Sequence, residues 1–305
     1  MAGNDGVDKG NFRVLIVHGT ITTHDAIGND IAAMYELLSR RYVCRCFAIN
    51  ARNAELTYVD ESGARDIIMD DNALVIFHHS VYWQMIEDML QGHRCRLVIR
   101  YHNITPPEFF QFYNESLYQT CKLGREQTDR LLKKFPEAYW LADSEYNARD
   151  LGGREVTVCP PFNKVEEWDS HTPDEELLRS LRDEKRFKLL FVGRMVPNKG
   201  HFMLADIVSA YMGRYGDQIK LYIIGKPFRG KYGREVLDKI ERQGIQDNIE
   251  FIGEISDSIL MSYYLGCDIY INVSDHEGFC VPIVEAQKFM LPVIAKNSSA
   301  VGETL

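Results

Sequence analysis

The chain has 305 residues, 45% of them hydrophobic, and a formal net charge of −9 at pH 7. Such a length is enough for two domains, since single domains usually have about 100 to 200 residues. The acidic balance argues against a protein that coats nucleic acid, because phosphate backbones are bound by clustered Lys and Arg. We therefore expect no nucleic-acid partner.

The composition also bears on the cellular compartment. The seven cysteines include no Cys-x-x-Cys pair and are odd in number, which favours a reducing environment over a disulfide framework. Residues 1–10 lack the basic start and apolar core of a secretion signal, and we expect them to form a disordered leader. No apolar run approaches the roughly 18 residues of a membrane span. We expect a cytoplasmic protein, with membrane contact limited to peripheral association at the inner face.

Apolar runs alternate with segments of helical period in the first half of the chain. This alternation is typical of a parallel sheet with helices on its faces. The predicted strands are Phe12–Val17, Tyr42–Ala48, Ala73–Phe77, Arg96–Tyr101 and Trp140–Ala142. The predicted helices are Ile27–Leu38, Val81–Leu90 and Leu117–Phe135.

A break in the pattern follows at Pro160-Pro161, which cannot continue a strand or a helix. The charge-rich segment at about 160–187 is interpreted as a connection. We therefore predict an N-terminal domain over residues 1–163 and a C-terminal domain over residues 164–305.

A second series of the same kind follows the connection. Its predicted strands are Lys188–Val192, Ile219–Ile224, Ile249–Gly253, Cys267–Val273 and Pro292–Ala295, separated by helices centred on Ile207, Leu237, Tyr263 and Ala286. The sequence thus predicts an α/β protein of two Rossmann-like, doubly wound domains. A ligand of such a domain binds beyond the carboxyl ends of the strands.

Two basic residues follow the first strand of this second series. Arg194 and Lys199 lie in a loop bounded by Gly193 and Gly200. Fixed cations at that place stabilise the charge that a departing nucleoside diphosphate develops. Basic residues on surface loops are also common, so a solvated Arg and Lys is an equally good interpretation of these two residues alone.

The segment from Asp275 to Ala286 carries more information. Pro282 suits the first turn of a helix, so Gly278, Phe279 and Cys280 would present backbone N–H groups to an anion. Glu285, one turn into that helix, can accept two hydrogen bonds from a ribose diol, whereas Glu277 precedes the turn. Two surface glutamates beside a turn would be the simpler interpretation, but the loop between them is unusually apolar.

Taken together, these motifs resemble glycosyltransferase family 4, the retaining enzymes of the GT-B architecture. The resemblance covers nearly the whole chain. Further positions occur in the expected order, namely Gly28, Ser144–Asn147, Gly225, Gly253 and Asp268. It implies two domains that face a central cleft, and a nucleoside-diphosphate sugar as the donor substrate.

The resemblance also implies roles for the C-terminal residues. The positions of Arg194 and Lys199 contact the donor diphosphate in the family. That of Glu285 binds the ribose, and that of Glu277 lies by the donor sugar. The loop around Ile252 borders the nucleobase, mostly through backbone groups.

In the N-terminal half, the resemblance implies that His102 lies near the reacting carbon. Without it, a strand-end histidine held by local hydrogen bonds is the better interpretation. Gly28 stands where the family often has paired glycines in a loop near the donor, flanked here by His18 and His24. His78 and His79 are adjacent in a strand, so they should point to opposite faces and be structural. No zinc-ligand spacing accompanies these histidines.

The family mechanism is transfer with retention at the anomeric carbon. Front-face departure is expected, in which the donor phosphate takes the acceptor proton while Arg194 and Lys199 hold the diphosphate. The sequence has no Asp-x-Asp pair, so we expect no metal ion and no cofactor. The donor is a nucleoside-diphosphate sugar, with GDP-mannose or a UDP-hexose as guesses, and the acceptor a glycan or a lipid-linked glycan of surface polysaccharide biosynthesis.

The chain stops at Leu305, in a strand-to-helix loop of the predicted pattern. Family members normally continue, so we expect a second domain that is incomplete at its C-terminus, with more chain beyond Leu305. Two alternatives therefore stay open. In the first, the chain is a non-catalytic module that binds sugar nucleotides. In the second, it is a GT-B epimerase or hydrolase that acts on the nucleotide sugar itself.

Overall fold

A computed structural model describes residues 12–305 except 24, 164, 166, 228 and 229. The expected leader at residues 1–10 and His24 lie outside the described residues. The chain divides into two compact units. The first comprises the residues up to Ile104 and Thr120–Asn163, and the second comprises Thr105–Gln119 and Lys164–Leu305.

The first unit is built on a six-stranded parallel sheet. Its strand order is β3-β1-β5-β6-β7-β8. A short parallel pair, β2 with β4, lies outside this sheet. The strands are β1 Arg13–Val17, β2 Thr20–Ile21, β3 Val43–Phe47, β4 Asn50–Ala51, β5 Ala73–His79, β6 Arg96–Tyr101, β7 Tyr139–Ala142 and β8 Thr157–Val158. The helices are α1 Ala26–Ser39, α2 Glu61–Ile68, α3 Gln84–Met89, α5 Glu145–Asp150 and, from Thr120 onward, α4 Glu115–Lys134.

The second unit is built on a five-stranded parallel sheet. Its strand order is β11-β10-β9-β12-β13, so the order reverses between β9 and β12. The strands are β9 Phe187–Val192, β10 Ile219–Ile224, β11 Ile249–Gly253, β12 Ile269–Asn272 and β13 Val293–Ala295. The helices are α6 Glu175–Asp183, α7 His201–Tyr215, α8 Lys231–Gln243, α9 Asp257–Gly266, α10 Val281–Lys288 and α11 Val301–Thr304.

Local sequence explains why these elements form. The middle of β1 is buried on both faces, as expected for a parallel strand covered by helices. Several helices begin at a side chain that accepts a hydrogen bond from an amide of the first turn, as Ser144 does at α5 and Asp174 at α6. The doubly wound α/β prediction is therefore confirmed.

Among the described residues, four helices lie where none was predicted, namely α2, α5, α6 and α11. The helix α6 occupies the segment that we interpreted as a connection. Its many charged residues made the helical period of its few apolar residues hard to recognise. Its Leu178 and Leu181 are buried, while its polar residues cover the outer side. The helix α2 was also missed, because only eight residues carry its pattern.

The segment Thr105–Gln119 belongs to the second unit, although it precedes residue 163 in the chain. It contains a short 3₁₀ turn at Pro107–Phe109, and its Tyr113 packs edge-on against Tyr232 with ring centroids 5.1 Å apart. Among the described residues, no helix is both long and apolar enough to cross a membrane.

Candidate functional site

The candidate site of the second unit lies along one edge of its sheet. Because parallel strands end at the same edge, the loops after β9, β10, β11 and β12 are neighbours there. Backbone hydrogen bonds join successive loops. Gly193 N–H donates to Ile224, Met195 N–H to Lys226 and Gly225 N–H to Gly253. The predicted residues Arg194, Lys199 and Glu277 all belong to this edge.

Arg194 projects from the loop after β9. Its side chain is exposed, and within residues 12–305 as described it has no hydrogen bond or ion pair. The backbone beneath it is tightly fixed, because Gly225 approaches so closely that a Cβ there would lie 2.3 Å from the Gly193 carbonyl oxygen. Arg194 is thus an available cation on a rigid support.

Lys199 pairs with Glu277. The Lys199 ammonium lies 2.6 Å from Glu277 Oε1, and both side chains are mostly buried. Asn198 joins the two loops, since its carbonyl accepts from Asp275 N–H and its amide donates to the carbonyl of His276. The sequence predicted separate contacts for this Lys and Glu, one to diphosphate and one to sugar. The structure brings them together as one ion pair.

The turn before α10 has the predicted form. Cys280 is the N-cap residue with a left-handed backbone (φ 83°), and Pro282 lies in the first turn of the helix, as predicted. Cys280 is buried, and its sulfur accepts a hydrogen bond of 2.8 Å from Asn272 Nδ2. Phe279 presents its carbonyl to Thr304, whereas Gly278 stays partly exposed. The N-terminus of α10 is therefore held at the same sheet edge, where a helix start favours an anion.

Glu285 is in α10, one turn further on. Its Oε2 accepts a hydrogen bond of 2.7 Å from the hydroxyl of Tyr264 in α9. Glu277 and Glu285 therefore have different partners, Lys199 for the first and Tyr264 for the second. Tyr264 was not predicted from the sequence, because a Tyr among apolar helix residues is usually only a core residue.

Ile252 and Gly28, which are both predicted to contact the donor, also have packing roles in the fold. Ile252 is partly buried against the apolar cluster between the sheet and α9. Gly28 lies in the first turn of α1 rather than in a free loop, and it is buried. A Cβ at Gly28 would lie 1.8 Å from the Thr22 carbonyl oxygen, so close packing alone requires glycine here. Their contacts with a donor stay predictions.

A buried polar cluster lies at the carboxyl ends of β5, β6 and β7 in the first unit. His102 follows β6, and its Nδ1 lies 2.9 Å from Asp143 Oδ2. Its Nε2 lies 2.8 Å from Nδ1 of His78. Because the carboxylate only accepts, His102 donates through Nδ1 and accepts from His78 through Nε2 when both rings are neutral. Both ring nitrogens of His102 are thus engaged inside the unit.

An ion pair completes this cluster. Arg100 donates through Nε to Asp30 Oδ2 at 2.6 Å, and both side chains are fully buried. Asp30 Oδ1 also accepts from the Phe162 N–H at 2.8 Å. Burial raises the pKa of Asp30, and the Arg100 guanidinium opposes that rise. No sequence pattern distinguishes Asp30, Arg100 or Asp143 from other charged residues, and only the fold shows that they are buried together.

Three members of the cluster have the chemistry of metal ligands. One ligand atom each from Asp30, His78 and His102 lies within 4.8 Å of the other two. The 2.8 Å between the two histidine nitrogens is, however, a hydrogen-bond distance. Tetrahedral zinc with ligands at about 2.1 Å holds donor atoms roughly 3.4 Å apart. A hydrogen-bonded network accounts for this geometry, and the expectation of a metal-free protein stays a prediction.

Three histidines in or beside this cluster, His18, His78 and His79, are buried and neutral. Burial lowers the pKa of His18 to about 4, and its Nδ1 lies 2.8 Å from the carbonyl oxygen of His78. Burial also lowers the pKa of His79 to about 3 and that of His78 well below its usual value. His79 contacts Thr128, whereas His78 contacts His102, so the two adjacent rings have separate surroundings, as expected.

Known proteins are similar to the second unit in sequence and to nearly the whole chain in fold. Residues 174–305 match the family model described as glycosyl transferases group 1. Solved structures cover more of the chain. Anabaena Alr3699/HepE in complex with UDP and glucose has a TM-score of 0.72 and 18% identity, over 96% of this chain and 83% of that one. Sucrose-phosphate synthase from Thermosynechococcus elongatus has a TM-score of 0.71 and 14% identity, over 95% and 82%. The chain has the GT-B fold.

Curated relatives are similar over parts of their length. A GDP-mannose-dependent alpha-mannosyltransferase of Mycolicibacterium smegmatis is 28% identical over 41% of this chain and 29% of its own length. The O-antigen biosynthesis glycosyltransferase WbnH of Escherichia coli is 28% identical over 55% of this chain and 44% of its own length. The chain spans less than two thirds of the first curated relatives that it matches.

Proposed function

We propose that this chain is a retaining glycosyltransferase of family 4. The reaction transfers a hexose from a nucleoside-diphosphate sugar to a glycan or lipid-linked acceptor, in surface polysaccharide biosynthesis at the cytoplasmic side of a membrane. One observation carries the proposal. A single sheet edge of the second unit gathers an available Arg194, the Lys199–Glu277 pair, the start of α10 and the Glu285 carboxylate.

Each residue of the site binds the part of the donor that suits its charge. Arg194 and Lys199 neutralise the diphosphate, helped by the N–H groups of Gly278, Phe279 and Cys280 at the start of α10. Glu285 accepts the ribose hydroxyls. Glu277 orients the Lys199 ammonium by its ion pair and is the carboxylate that faces the sugar.

The cations have a further task as the glycosidic bond breaks. Negative charge then builds on the leaving diphosphate, and fixed positive charges stabilise it without any reorganisation of the site. The donor phosphate removes the acceptor proton on the same face of the sugar, which retains the anomeric configuration. His102 assists near the reacting carbon, and no divalent ion is needed.

Relatives support the choice of donor class. HepE was solved with UDP and glucose, and the M. smegmatis relative is named as GDP-mannose-dependent. Other relatives are named for O-antigen biosynthesis and capsular polysaccharide biosynthesis. A UDP-hexose or GDP-mannose is therefore the donor that we propose to test first.

A thermal-shift screen against UDP, GDP and their sugar conjugates tests binding, because a ligand that binds only the folded state raises the unfolding temperature. Product analysis with the stabilising donor then tests the reaction. Transfer with retained anomeric configuration supports the proposal. Binding with no turnover would instead indicate a non-catalytic module, and release of free sugar or an epimer would indicate a hydrolase or an epimerase. No stabilisation by any of these ligands would contradict the proposal.

A further inference from the structure

The loop after β13 runs beside the loop that carries Glu277. Ser299 in this loop accepts, through its Oγ, a hydrogen bond of 2.7 Å from the Glu277 N–H. The next residue, Ala300, is buried and donates its own N–H to the Glu277 carbonyl at 3.4 Å. Two consecutive residues of one loop therefore hold the peptide groups on both sides of the Glu277 Cα.

Further contacts fix the same stretch of backbone. Because β12 lies between β9 and β13 in the sheet, the loop after β12 is flanked by the loops after those two strands. On the β13 side, the Lys296 ammonium pairs with the Asp275 carboxylate. On the β9 side, the Asn198 side-chain amide donates to the carbonyl of His276. The backbone at Glu277 is thus bound to both of its neighbours.

Ser299 has a backbone conformation that glycine would adopt more easily. Its φ is 48°, in the left-handed region where the Cβ of an L-residue is crowded. Strained positions of this kind cluster at functional sites. What serine adds over glycine here is its hydroxyl, and that hydroxyl binds the backbone of the residue that pairs with Lys199.

The hydrogen bond from Glu277 matters because the carboxylate of this residue acts through its position. Glu277 Oε1 lies 2.6 Å from the Lys199 ammonium. Without the Ser299 hydroxyl, the Glu277 N–H has no acceptor, and its peptide group would turn to find one. Such a turn displaces the carboxylate, and a misplacement of about 1 Å can slow a reaction by about a hundredfold.

We propose that Ser299 is a positioning residue for sugar transfer, whose hydroxyl fixes the Glu277 backbone and thereby the alignment of the Lys199–Glu277 pair. This inference rests on the proposed function of the site. It assigns a part in the reaction to the loop after β13, none of whose residues is among the predicted donor contacts.

Two substitutions at Ser299 separate the hydroxyl from the backbone strain. Ser299→Gly removes both, whereas Ser299→Ala removes the hydroxyl and keeps the strain. Thermal unfolding of the full chain should therefore place Ser299→Gly about 2–4 °C above Ser299→Ala. Turnover, measured with the UDP- or GDP-sugar that stabilises the wild type, should not follow this order. We expect kcat to fall about tenfold in both variants, with KM for the donor within about threefold of the wild type.

Met290→Gly is the matched control for relief of strain. Met290 also has a left-handed backbone, with φ 53°, but it follows the end of α10 and is 89% exposed. Glycine is favoured just after a helix, so this variant should gain stability and keep the wild-type kcat. A purely structural effect of Ser299 would make Ser299→Gly as active as Met290→Gly, and that result would overturn the inference.

The Glu277→Ala background tests whether Ser299 acts through Glu277. Once the carboxylate is removed, Ser299 has no side chain to align, so Ser299→Gly should lower kcat by less than about twofold further. A further tenfold loss would contradict the inference. If the wild type transfers no sugar, the proposed function itself fails and the inference falls with it. If the wild type transfers sugar and Ser299→Gly keeps full turnover, only the inference falls.

Discussion

The polar cluster of the first unit and the candidate donor site of the second lie at equivalent places, the carboxyl ends of parallel strands. They differ in how their charges are satisfied. Asp30, Arg100 and His78 are fully buried and paired with one another, whereas Arg194 is exposed. At equivalent positions, the first unit thus has charged residues that are paired in its interior, whereas the second unit has an exposed charge that can bind a ligand.

Burial explains why the two clusters should respond differently to mutation. A buried charge that loses its partner keeps its full desolvation cost. An exposed charge that is removed affects mainly whatever it binds. The first cluster should therefore control stability. In the second, the exposed Arg194 should affect mainly affinity, whereas Lys199, paired with the mostly buried Glu277, should affect both affinity and stability.

The largest effect is expected for Asp30→Ala. This change leaves the Arg100 guanidinium buried without its 2.6 Å partner, and should lower the free energy of unfolding by about 3–5 kcal/mol. Urea unfolding at pH 7 measures it. The control is Glu61→Ala, which breaks the exposed pair with Arg65 and should cost less than about 0.5 kcal/mol. Equal losses in the two variants would contradict the desolvation cost that we assign to the unpaired, buried Arg100.

The second-largest effect is expected for His102. This residue belongs to the buried cluster, but we also predict that it takes part in the reaction. His102→Ala should slow transfer by about a hundredfold while donor affinity is largely kept. Turnover and donor titration on the same preparation separate the two quantities. Unchanged turnover would remove His102 from the reaction and leave it as a structural residue held by Asp143 and His78.

Affinity for the donor should depend on the second cluster. Lys199→Ala and Glu285→Ala should each weaken binding of the nucleoside diphosphate by about tenfold or more, since each removes a charge-assisted contact. Calorimetric titration with the diphosphate found in the thermal-shift screen measures this. Lys122→Ala, an exposed lysine on α4, is the control and should bind as the wild type does. A normal affinity in Lys199→Ala would remove the ammonium from the diphosphate site.

A smaller effect is expected from pH. Burial holds the pKa of His79 at about 3 in the folded state against an ordinary value of 6.5, so the unfolded chain binds the proton first as the pH falls. The contribution of this neutral ring is therefore fully present above pH 6.5 and is lost below it, at up to about 1.4 kcal/mol per pH unit. Urea unfolding between pH 7 and 5 should show a shallower decline in His79→Gln than in the wild type. An equally steep decline in the two proteins would contradict this contribution of His79.

No effect at all is expected from metal removal. Transfer should proceed at its full rate in EDTA, because Arg194 and Lys199 serve in place of a divalent ion. Elemental analysis of the purified protein checks the Asp30–His78–His102 group at the same time. A strict metal requirement would contradict the assignment of the cations, and stoichiometric zinc would contradict the hydrogen-bonded interpretation of that group.

Much of the fold was predictable because buried parallel strands have a strong local signal. The bounds of β6, β10 and β11 agree with the prediction residue for residue. The helix α6 was not predictable in the same way, since its few buried leucines are set among charges and only their packing shows which face is inside. The turn at Pro282 was predictable because proline restricts the backbone by itself.

The sequence by itself determined the two series of strands and helices, the start of α10 and the identity of the donor-site candidates. These depend on hydrophobic periodicity and on local backbone chemistry, which neighbouring residues set. Only the tertiary structure decided that Lys199 pairs with Glu277, that Tyr264 holds Glu285, and that Asp30, Arg100 and Asp143 enclose the histidines. Those contacts join residues 21 to 78 positions apart, and a hydrogen bond depends on distances of tenths of an ångström that no local pattern specifies.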